Sequence, residues 1–74
     1  MKEQKGVVKW FNAERGYGFV GSDGVDYFIH YKEINSPGFK TLKEGQHVRF
    51  MPFLSPKGQV AKDLHIENGD EPWF

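Results

Sequence analysis

The stretch GVVKWFNAERGYGFV, residues 6–20, decides the fold. Val7, Val8, Trp10 and Phe11 favour extended backbone, because branched and aromatic side chains suit a pleated surface. A first strand is therefore predicted over 6–12. Gly16 and Gly18 argue against a helix after it. In a strand, such glycines signal a bend or the close approach of another backbone, so a second strand is predicted over 16–21. Ser22, Asp23 and Gly24 follow as a turn, since Asp-Gly tolerates the positive φ of a tight hairpin. A third strand, rich in aromatic and branched residues, runs over 26–31.

Further along, Asn35, Ser36, Pro37 and Gly38 form a loop cluster, and Gly45 interrupts any helix starting near Phe39. Residues 46–53 alternate, with Val48 and Phe50 on one face and His47 and Arg49 on the other. Ser55, Pro56, Lys57 and Gly58 make another turn, and 59–66 reads as a weaker fifth strand. Five short strands with turn-rich joints indicate an all-β barrel or sandwich. Closure into a barrel removes the edges that invite aggregation. Asn68, Gly69 and Pro72 stop regular structure, so the division is a domain over 1–66 and a tail over 67–74.

With 74 residues the chain supports one domain, with a thin core and modest stability. It has no cysteine, which excludes disulfides and thiolate metal sites and fits a reducing cytosol. No apolar run approaches the length of a membrane span, and no apolar region follows the opening Met1 to Lys5. The expectation is a soluble, cytoplasmic protein without cofactor or metal. Ten basic and ten acidic residues balance to zero. Duplex DNA binding through phosphates alone calls for a strong positive excess, so that class is disfavoured. The balance is uneven along the chain: Lys2, Lys5, Lys9 and Arg15 lie early, and Asp63, Glu67, Asp70 and Glu71 lie late.

Two tryptophans, three tyrosines and seven phenylalanines are many for so short a chain. Side chains alternate along a strand. If Val20, Ile29, Val48 and Phe50 fill the core, Tyr17, Phe19, Phe28 and His30 face outward, and Trp10 joins them if Val8 faces in. So short a chain cannot bury all of its aromatics with its valines and isoleucines. An exposed apolar face of this kind marks a binding site. Lys9 and Arg15 flank it, and rings interleaved with cations suit a flexible nucleic-acid strand: rings stack on bases, cations meet phosphates.

Residues 6–20 closely resemble the first two strands of cold-shock domains. DYFIHYKEI at 26–34 resembles the third strand and its continuation, and GFKTLKEGQHVRF at 38–50 the long loop and fourth strand. The likeness runs from about Lys5 to Ile66. It implies an OB-type, five-stranded antiparallel barrel that binds single-stranded RNA and DNA, acting as an RNA chaperone or a regulator of transcription or translation. It carries binding roles to Lys9, Trp10, Tyr17, Phe19, Phe28, His30, Tyr31 and Phe39. Phe11 and Arg15 fit as well. Arg15 stands where lysine is usual, Tyr17 and Tyr31 where phenylalanine is common. The segment Gly58 to Ala61 departs from the family pattern, and no contact is carried over to Gln59.

Three other readings compete. Residues 15–20 also fit the opening of an RNA-recognition-motif signature, but that fold requires two helices and a longer chain. Catalysis would have to use Asp26 and His30, which share a strand face. No serine has a nucleophile setting, and His30, His47 and His65 lack ligand spacing. A protein-interaction module would use the aromatic face for another protein. The tail ends in Asp70, Glu71, Trp73 and Phe74, a mixture resembling the acidic, aromatic tips of bacterial and phage single-strand-binding proteins. It is a candidate protein-recruiting segment or an intramolecular competitor for the aromatic face.

Overall fold

The computed structural model describes residues 2–35 and 41–67. Five strands form, β1 (Gln4–Asn12), β2 (Tyr17–Ser22), β3 (Val25–His30), β4 (His47–Ser55) and β5 (Gly58–Ile66), with a one-turn 3-10 helix at Tyr31–Glu33 after β3. They close a barrel in the order β1-β2-β3-β5-β4. Both hairpins expected from the turn signals are present. Asp23 and Gly24 take the positive φ that the β2–β3 turn requires, at 52° and 79°.

Four of the five strand contacts are antiparallel. The fifth, β3 with β5, is parallel, pairing Phe28 with Val60. An isolated parallel bridge between Ile34 and Leu64 continues it. The expectation of an antiparallel barrel is corrected at this seam. An odd number of strands cannot alternate direction all the way round a closed ring, so one contact must be parallel.

The core is the inward set of the alternation. Val8, Val20, Ile29, Ile34, Val48, Phe50 and Leu64 are at most 1% exposed, and Tyr27 packs on Phe50 with ring centroids 5.0 Å apart. The expected interior residues Val20, Ile29, Val48 and Phe50 are all among them. A part-buried polar set ties β1 to β2: Gln4 Nε2 donates to Ser22 Oγ at 3.0 Å, and that hydroxyl donates to the Lys5 carbonyl at 2.7 Å. Every buried polar atom there has a partner, as a low-dielectric interior demands.

Gly18 shows why β2 needs a glycine. A Cβ there would collide with the Trp10 carbonyl oxygen and come within 2.7 Å of the Phe11 Cα. The bare glycine lets β1 lie close against β2.

Candidate nucleic-acid interface

Strand register builds the aromatic face. Trp10 pairs with Phe19 across β1–β2. Phe19 pairs with Phe28, and Tyr17 with His30, across β2–β3. Directly paired residues put their side chains on the same face, so the rings come together. Trp10 lies 5.6 Å from Phe19 and 5.9 Å from Tyr17 between centroids, and Phe28 lies 5.8 Å from each of Tyr17 and Phe19. These tilted and edge contacts are ordinary aromatic packing. They hold four rings as one patch on the outside of the barrel, with Trp10 45% exposed.

Trp10 reaches this face through an irregularity. Val8 and Trp10 are two residues apart, so strict alternation points both the same way, and the outward Trp10 expected beside an inward Val8 needs a break in that alternation. Val8 is buried and Trp10 is not. The ladder shifts between them: Val8 opposes Val20, yet Trp10 opposes Phe19. Lys9 is thus the extra residue of a β-bulge, a device that re-aims side chains.

Beyond β3 the face continues to His30 and Tyr31, whose rings are 4.6 Å apart. Tyr31, 42% exposed, lies over Gly16, where a Cβ would stand 2.6 Å from the Tyr31 ring. Gly16 also has φ +80°, so glycine is required there twice over. The Lys32 backbone N–H donates to His30 Nδ1 at 3.2 Å and caps the 3-10 turn. With Nδ1 accepting, the neutral imidazole carries its proton on Nε2 and offers a donor at the end of the ring patch.

The flanking cations differ. Lys9 Nζ is 2.9 Å from Asp26 Oδ1, both groups half exposed. Arg15 lies in the turn between β1 and β2, where its backbone N–H donates to Asn12 Oδ1 at 2.9 Å. Its guanidinium forms no ion pair with any described residue. Phe11 is half-buried and packs against the core instead of joining the ring patch. Phe39, and the tail residues Asp70, Glu71, Trp73 and Phe74, lie outside the described residues.

Sequence reasoning missed one part of the site. A groove of about 550 Å³ opens beside Phe19 and Phe28, walled on its far side by Lys57, Gln59 and Val60. Nothing in the local pattern of β5 announces this. Val60 is there because the parallel seam sets it against Phe28.

A closed five-stranded barrel carrying basic-flanked rings across β2 and β3 belongs to the OB class of oligonucleotide-binding folds. The comparisons with known proteins narrow the class. The "cold-shock" DNA-binding domain family matches residues 4–66. The cold shock-like protein CspA of Bordetella pertussis is 49% identical over 65 residues, covering 85% of this chain and 97% of that protein. The probable cold shock protein A of Mycolicibacterium smegmatis is 54% identical over 59 residues, covering 77% and 88%. A solved Drosophila structure, Unr CSD456, superimposes with TM-score 0.76 over 97% of this chain and 29% of that one, at 15% identity, a likeness of fold. The chain belongs to the cold-shock domain family, whose members bind nucleic acid and are not enzymes. No helix among the described residues is long and apolar enough to cross a membrane.

Proposed function

We propose that this protein binds single-stranded RNA or DNA by stacking bases on Trp10, Tyr17, Phe19, Phe28, His30 and Tyr31, with Phe39 as a further ring. The observation that carries this reading is the unbroken patch of four rings with centroids 5.6 to 5.9 Å apart on a solvent-facing sheet. Soluble proteins expose such patches chiefly where they bind something, and every base has a π-face to offer. A duplex keeps its bases stacked on each other and gives the rings nothing. Arg15 supplies a phosphate contact. Lys9 supplies a second when Asp26 releases it. Phe11, half-buried against the core, serves packing in this reading.

Binding by ring and cation reads little sequence, and holding strands open without choosing among them is the work of an RNA chaperone in the cytoplasm. Residues 1–66 form the binding domain in this reading, in keeping with the family match over 4–66, and 67–74 form an appendage. With two cations engaged, log K should fall against log salt with a slope of about −1.4, from roughly −0.7 per phosphate for single strands. Titration of a labelled oligothymidine, followed by anisotropy, against a duplex of equal length tests the proposal. Tighter binding to the duplex would overturn it.

A further inference from the structure

Val60 stands between two rings. Phe28 is its partner in β3 and Phe53 its partner in β4. Paired residues share a face, so Phe53 continues the outer surface on which Phe28 stands, one strand beyond Val60. Adjacent strands are about 4.8 Å apart, which puts Phe53 about 10 Å from Phe28 along the sheet. Phe53 is 45% exposed, as open as Trp10. Lys62, two residues along β5 on the same face, holds its ammonium 5.1 Å from the centre of the Phe53 ring.

We infer that Phe53 and Lys62 form an additional nucleotide subsite at the far end of the ring patch. This rests on the single-strand reading above and extends it around the barrel. A strand leaving Phe28 crosses the groove over Val60 and meets a ring with a cation beside it. Those are the two groups one nucleotide requires, a surface for the base and a charge for the phosphate. The resting cation–π contact keeps the pair together. On binding, the base takes the ring face and the ammonium turns to the phosphate. Continuity through Val60 with the ring patch, and a cation already at the ring, select a nucleic-acid strand as the occupant over a second protein.

The test is a length series. Oligothymidines from about four to about ten nucleotides span the range of one OB barrel. They are titrated against the full chain and its Phe53→Ala, Phe53→Leu and Lys62→Ala forms, with thermal melts as controls for folding. The expected result is unchanged affinity for the shortest oligonucleotide in all four proteins. For the longest, both Phe53 forms bind about fivefold or more weakly, and Lys62→Ala lowers the salt slope by about 0.7. Phe53→Leu keeps apolar bulk and loses the stacking plane, so it separates stacking from packing. Equal loss at every length, or no loss at any, overturns the inference while leaving the ring patch as the site. Phe53 ring signals in NMR that move with protein concentration, and not with oligonucleotide, also overturn it, in favour of contact between copies. Failure of every oligonucleotide to bind the unaltered chain would instead remove the single-strand reading itself.

Discussion

Replacing Phe28 by alanine separates binding from folding, and the structure says how much each should change. Phe28 touches two other rings, with centroids 5.8 Å from both Tyr17 and Phe19, and it walls the groove beside Val60. Losing one base stack costs binding about 1–3 kcal/mol, a weakening of roughly 5- to 150-fold. Losing two ring contacts costs stability about 1–3 kcal/mol, at roughly 0.5–1.5 each. A domain this small has about 4–11 kcal/mol in all, so Phe28→Ala should still fold, with a melting temperature lower by about 4–8 °C per kcal/mol. Phe28→Leu recovers much of the packing and none of the stack. Val20→Ala is the converse control: fully buried, it should cost about 2 kcal/mol of stability, from roughly 0.8 per buried methylene plus the cavity left behind, and leave affinity unchanged. The assay is oligothymidine binding measured well below each variant's melting temperature. Full affinity in Phe28→Leu would refute the reasoning, because it would make Phe28 a packing residue and not a stacking surface.

Gly18→Ala should destabilise by about 1–3 kcal/mol or more, since the new methyl meets the Trp10 carbonyl and the Phe11 backbone, neither of which can swing aside; denaturant unfolding checks it. His30→Asn keeps an acceptor for the Lys32 N–H and loses the outward ring and donor. It should hold its melting temperature and weaken binding, whereas a capping role alone would leave binding intact. Truncation after Asn68 should tighten binding, most visibly at low salt, if Asp70, Glu71, Trp73 and Phe74 compete for the ring patch. An unchanged dissociation constant across a salt series would dismiss the competition.

The residues themselves determined a good deal. Alternation along a strand follows from local backbone sterics. The interior set of Val20, Ile29, Val48 and Phe50, and the outward set of Tyr17, Phe19, Phe28 and His30, were therefore legible from spacing alone. Turn chemistry at Asp23 and Gly24 was legible for the same reason: it depends on φ at two residues. The stretch from about Lys5 to Ile66 also carried a family likeness specific enough to name the fold class.

Tertiary structure decided what depends on partners far away in the chain. Trp10 faces outward only because β1 slips by one residue against β2 at Lys9, and a slip is a property of two strands, not one. Lys9 meets Asp26 only after the β1–β2–β3 sheet forms. The parallel seam, and with it the groove beside Val60 and the line from Phe28 to Phe53, follows from closing five strands into a ring. Ring closure is a constraint on the whole barrel, and no window of neighbouring residues contains it.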